Sequence, residues 1–194
     1  MKREDVLLLV FGIILIFSIA MLFIGNSKLT GHVTSGSTVS NVTIVSYLSI
    51  AMSTNLQSGI LFGSVDTLPA LNVSASHNYD GASSASTFFI NVSTDSNTAV
   101  DFCIKANAGM KNAGSDVIGI GNETYSNATS SSSTVPVIAN NVSLTTSNVK
   151  SGINIAAGTP NYYRYWLNIP AAQATGTYNN SVSFEGVATG GSCS

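Results

Sequence analysis

Hydrophobic positions along this chain follow two different rhythms. From Val6 to Ile24 they form one run, VLLLVFGIILIFSIAMLFI, that contains no charged residue. Beyond Val39 they alternate with Ser, Thr and Asn in short stretches. An uncharged run of about 19 residues makes a helix of roughly 28 Å, close to the ~30 Å hydrocarbon core of a bilayer. It predicts one transmembrane helix or signal anchor over residues 6–24. Lys2 and Arg3 precede the run, which predicts a cytoplasmic tip at residues 1–5 and an outward-facing remainder. The run exceeds the about 7–15 apolar residues of a cleaved signal peptide, which favours a retained, single-pass anchor in the cell membrane. The small residues Gly25 and Ser27 offer a second fate, cleavage near Ser27 and secretion. Archaeal pilin leaders end in Gly or Ala before their cut, and Met1–Asp5 has neither.

Residues 25–38 are polar and Gly-rich and predict a flexible tether. From Val39 the period becomes two. Val42, Ile44, Leu48, Ile50 and Met52 fall on one face of an expected long strand, with Asn41, Thr43 and Ser49 on the other. Ile60–Val65 is a short apolar run between glycines. Further alternation at Leu71–Ala75, Phe88–Val92, Val100–Ala106, Val135–Leu144, Tyr162–Ile169 and Tyr178–Val187 predicts more strands. Gly109–Tyr125 has the weakest pattern, with a short strand expected at Val117–Ile120. Ser126–Thr134 is low in complexity and reads as an exposed loop. No amphipathic helix separates these stretches. The prediction is an all-β, antiparallel sandwich over residues 39–194, outside the cell.

Composition changes this picture only in what it excludes. Charged residues make up 8% of the chain, against about 25% in an average soluble protein. The polar surface must come from Ser, Thr, Asn and Gly, as on many secreted β domains. Hydrophobic residues make up 44%, too many for a disordered chain. The net charge is −2, and beyond the apolar run the basic residues Lys28, Lys105, Lys111, Lys150 and Arg164 are widely spaced. That excludes a phosphate-neutralising patch, so no nucleic-acid partner is expected.

Cys103 and Cys193 are the two cysteines. In an oxidising compartment an even count predicts a disulfide between them. Free thiols, or a link from Cys193 to another chain, are the alternatives. Asn-X-Ser/Thr acceptors occur at Asn41, Asn72, Asn91, Asn122, Asn127, Asn141 and Asn179. At Asn41, Asn72, Asn91 and Asn141 the triplet is Asn-Val-Ser/Thr, which is also what a half-buried strand looks like. Asn122 and Asn127 fall in loop-like sequence and read as the better glycosylation acceptors.

Catalytic chemistry finds little footing. His32 and His77 are too far apart in sequence to read as a metal site, so no metal and no cofactor is expected. There is no Gly-X-Ser-X-Gly elbow and no Gly-rich loop ending in Lys-Ser/Thr. Asp95, Asn97 and Asp101 partly match a calcium loop, without its Gly and distal Glu. Nothing in the sequence links Glu123 to Glu185. Tyr163, Tyr165 and Trp166, with Tyr162, form an aromatic cluster that could stack on sugars or simply fill a core.

The segment Trp166-Leu-Asn-Ile-Pro170, then Gly176-Thr-Tyr178 and Ser181-Val-Ser-Phe184, resembles the closing hairpin of immunoglobulin-like sandwiches on prokaryotic surface proteins. Gly59-Ile-Leu-Phe-Gly63-Ser-Val-Asp resembles an early strand of such domains. The layout is similar to archaeal surface proteins and to camelysin/TasA-type filament subunits. The resemblance implies an immunoglobulin-like sandwich at the cell surface and brings no catalytic residue with it. The leading expectation is a non-enzymatic, membrane-anchored envelope or adhesion protein, with other envelope proteins or glycans as partners. The alternative is a subunit of a surface filament built on itself by donor-strand exchange, with Val33–Ile50 as donor. The third is a secreted carbohydrate-binding module or hydrolase.

Overall fold

The structure is a computed structural model that describes residues 3, 4, 10–16, 18, 39–81, 87–129 and 135–194. The chain divides into two compact units, Met1–Thr43 and Ile44–Ser194. In the first unit, residues 10–16 are helical and exposed, and residues 39–43 are exposed without regular structure. Apart from residues 10–16 and 18, the expected span Val6–Ile24 lies outside the described residues, as does the whole expected tether. Among the described residues no helix is long and apolar enough to cross a membrane.

The second unit is mostly β, as the alternation predicts. The described residues form eleven strands: β1 Ile50–Met52, β2 Ala70–Ser74, β3 Phe89–Val92, β4 Val100–Ala106, β5 Met110–Lys111, β6 Val117–Ile118, β7 Glu123–Thr129, β8 Val142–Ser143, β9 Val149–Ile155, β10 Pro160–Ile169 and β11 Val182–Ala188. One antiparallel sheet runs β1-β3-β10-β7-β8, with β2 also pairing β10. A second runs β11-β4-β9, and β5 and β6 form a small third sheet. A short α-helix, Thr54–Ser58, follows β1. Ser53 caps it by accepting from Leu56 N, and the same hydroxyl accepts from Phe89 N at 3.2 Å, fixing the helix to β3.

The two larger sheets share one core. Ile90 and Val92 from β3, and Tyr163 and Tyr165 from β10, meet Phe102 and Ile104 from β4 and Ile155 from β9. Burying each such side chain stabilises by about 1.5–3 kcal/mol. Across the layers, a Cβ on Gly186 of β11 would stand 2.8 Å from Ile50 Cγ2 of β1, so only glycine lets these strands approach. A satellite cluster of Met110, Ile118 and Leu167 packs with Phe62 and Tyr178.

Several expectations are corrected. The long strand expected from Val39 is regular only at Ile50–Met52, and residues 39–47 are exposed. Those residues have no neighbouring strand to pair with among the described residues, and alternation alone does not make a strand. The expected loop at Ser126–Thr134 begins as strand, because β7 continues to Thr129 beside β10; residues 130–134 lie outside the described residues. Ile60–Val65 has no regular structure. The expected closing hairpin is not one: β10 stops at Ile169 before Pro170, as expected, but β11 pairs with β4 in the other sheet. Residues 170–181 therefore carry the chain from one layer to the other.

Candidate functional site

β7 and β10 lie side by side, with Tyr125 opposite Tyr165. Glu123, Tyr125 and Asn127 fall on alternate positions of β7, and Asn161, Tyr163, Tyr165 and Leu167 on alternate positions of β10. Alternation turns both sets towards the core. A β interior usually presents Val, Ile and Leu, so this one is unusually polar. Its far end is satisfied. Asn127 Nδ2 donates to Asn161 Oδ1 at 3.2 Å, Asn161 Nδ2 donates to Ser151 O at 3.3 Å, and Ser151 Oγ lies 2.9 Å from Tyr163 Oη.

The near end is not. Glu123 is 1% exposed and Tyr165 is fully buried. Asn180 Nδ2 donates to Glu123 Oε2 at 2.7 Å, while among the described residues Glu123 Oε1 and Tyr165 Oη have no hydrogen-bond partner. Burial pushes the Glu123 carboxyl above its ordinary value, and the Asn180 bond offsets this only in part. Burial likewise raises the Tyr125 and Tyr165 hydroxyls, so they remain neutral donors.

Glu123 lines a cavity of about 500 Å³ between residues 52–61 and residues 177–184. That size suits a small molecule. Leu56, Ile60, Met110, Val182 and Phe184 give it apolar walls. Two crossing segments hold its rim. Tyr178 Oη donates to Ala174 O at 2.8 Å and accepts from Asn112 Nδ2 at 3.1 Å, and Asn179 bonds Lys111 through both backbone groups. Nothing in the sequence links Glu123 to Asn180. The legible signal is a carboxylate sharing an inward strand face with Tyr125.

On the outer face of β4 a second arrangement serves the fold. Cys103 and Cys193 form a disulfide, as the even count predicts. It draws the final residues over β4. Asp101, 1% exposed, accepts from Lys150 Nζ at 2.6 Å, Asn154 N at 2.8 Å and Gly190 N at 3.1 Å. Burial by itself would raise this carboxyl; those three donors more than offset it and hold it at about 2. Ser194 completes the clasp through Glu185 and Asn148.

The comparisons with known proteins give one result. No family, no curated protein and no solved structure matches this chain.

The remaining candidate residues are dispersed. Tyr163 and Tyr165 are fully buried and offer no open ring face, and Trp166 is 5% exposed, beneath the Arg164 guanidinium at 5.2 Å. The aromatic cluster packs the interior instead of forming a sugar platform. Asn41, Asn72, Asn141 and Asn179 are exposed; Asn91, Asn122 and Asn127 are half-buried. Asn127, expected as a loop acceptor, sits on β7 with its amide turned inward. The sequence misleads here because Ser126, Asn127 and Ala128 resemble a loop, whereas pairing with β10 makes a strand. His77 packs edge-on against Phe88, and His32 lies outside the described residues. Asp101 is committed to Lys150, and Asn97 to the backbone of Val45 and Tyr47. Among the described residues no cluster of His, Cys, Asp or Glu could hold a metal.

Proposed function

We propose that this chain is a non-enzymatic cell-surface protein: an immunoglobulin-like β-sandwich displayed outside the membrane on the N-terminal segment Val6–Ile24. The observation that carries the reading is the Cys103–Cys193 disulfide, which belongs to an oxidising compartment. The charge-poor Ser/Thr/Asn surface and the uncharged apolar run support it. Protease shaving of intact cells, followed by mass spectrometry of the membrane, tests it. A retained membrane peptide spanning Val6–Ile24 is expected. Protection of the whole β domain from protease would overturn the reading.

A second reading, a filament subunit assembled by donor-strand exchange, is favoured by a separate observation. Val39, Val42, Ile44 and Val45 are 89%, 85%, 78% and 74% exposed. Such a run is what a strand awaiting a partner looks like. Among the described residues β11 pairs only with β4, leaving one edge open to receive it. Oligomer ladders resisting mild detergent, lost in Ile44→Asp, are expected on this reading. Monomer alone, with no threads by electron microscopy, would rule it out.

A further inference from the structure

We propose that the cleft lined by Glu123 is a binding site for a small amphiphilic primary amine. Its ammonium would pair with the Glu123 carboxylate and its apolar body would lie against Leu56, Met110, Val182 and Phe184.

Three observations converge on that chemistry. The first is the carboxylate. Glu123 is 1% exposed, and among the described residues only one of its oxygens is bonded, to Asn180 Nδ2 at 2.7 Å. Oε1 has no partner among the described residues, so the buried carboxylate is under-bonded, and a cation paired with it would offset that cost. The second is sign. Among the described residues no Lys, Arg or His lines the cavity. A carboxylate or phosphate ligand would meet Glu123 with no cation to offset the repulsion. A primary ammonium brings the opposite charge and three N–H donors. The third is shape. About 500 Å³ with aliphatic, thioether and phenyl walls accepts a short hydrocarbon body. A neutral alcohol could fill the same walls, but would bring the carboxylate one donor and no charge.

The cleft also carries its own reporters. Met52 and Met110 line it, whereas Met1 and Met21 belong to the N-terminal unit. The full chain, labelled with methyl-carbon-13 methionine, is titrated in mild detergent with n-pentylammonium, pentan-1-ol and pentanoate at neutral pH. Pentylammonium is expected to shift the Met52 and Met110 methyls saturably and to leave Met1 and Met21 in place. Pentan-1-ol should bind about tenfold more weakly or worse, and pentanoate not at all. Glu123→Gln should weaken pentylammonium by about tenfold or more while changing pentan-1-ol by less than about threefold. Leu61→Trp, at an exposed position on the rim, narrows the cleft without disturbing the core and should weaken both ligands. The proposal is overturned if pentylammonium leaves Met52 and Met110 unmoved, if pentanoate binds as well, or if Glu123→Gln binds pentylammonium normally. Should Glu123→Gln fail to fold, undiminished pentylammonium binding by Leu61→Trp overturns it instead.

Discussion

Asp101 and Glu123 are both 1% exposed, and the fold treats these two carboxyls in opposite ways. Asp101 meets three donors and titrates at about 2, below its ordinary 3.8. Its ionised form is favoured in the folded chain, so its contribution is fully present above about pH 4 and is lost as the pH falls towards 2. Lys150 is itself 34% exposed, so solvent screens part of the pair. Asp101→Asn is expected to cost about 1–2 kcal/mol at pH 7 and less as the pH approaches 2, measured by urea unfolding across that range. Glu123 meets one donor, and burial raises it. Its folded form holds the proton more tightly than the unfolded chain. Its contribution therefore declines as the pH rises beyond its ordinary 4.5. Glu123→Gln should raise Tm at pH 8, with the two proteins converging at pH 4 in calorimetry. A lower Tm at pH 8 would mean that the charge is better compensated than its one hydrogen bond implies.

Among the elements, β9 shows how closely the layers interlock. A Cβ on Gly152 would stand 2.8 Å from Asn161 Nδ2 and 3.3 Å from Phe102 Cδ2. Asn161 is fully buried and bonded at both ends of its amide, so it cannot swing aside. Gly152→Ala is expected to destabilise by about 1–3 kcal/mol through overpacking. Denaturant midpoints will show it, with an unchanged slope. β9 is also hidden in the sequence, because Lys150, Ser151 and Gly152 interrupt its alternation just where it crosses Phe102. The register with β4 shifts at that point. β3, β4 and β10 are readable for the converse reason. Each keeps apolar or aromatic side chains at every second position against the core, apart from Asn161 at the start of β10. The sequence puts Asp101 and Cys103 on the outer face of β4 but cannot foretell their burial, since the covering residues arrive about 90 positions later.

For the molecule as a whole, the disulfide joins residues 90 apart and anchors the chain end to the central strand of its sheet. Closing a loop of that size stabilises by about 4–5 kcal/mol in the chain-entropy account, and measured gains are often smaller. The double variant Cys103→Ala/Cys193→Ala should lose about 2–5 kcal/mol in urea unfolding. Loss of the clasp should also release Gly190 from Asp101, which faster amide exchange at Gly190 would reveal.

The amino-acid sequence by itself determined which residues alternate, that the second unit is mostly β, and that two cysteines were there to pair. Those are local properties, carried by neighbours two positions apart or by composition. Only the tertiary structure decided that β10 and β11 part into different sheets, that Tyr163 and Tyr165 face inward, and that Asn180 reaches Glu123. The reason is physical: period two fixes which face of a strand is apolar. It is silent on which strand comes to lie beside it, and a cleft exists only where distant segments fail to close over one another.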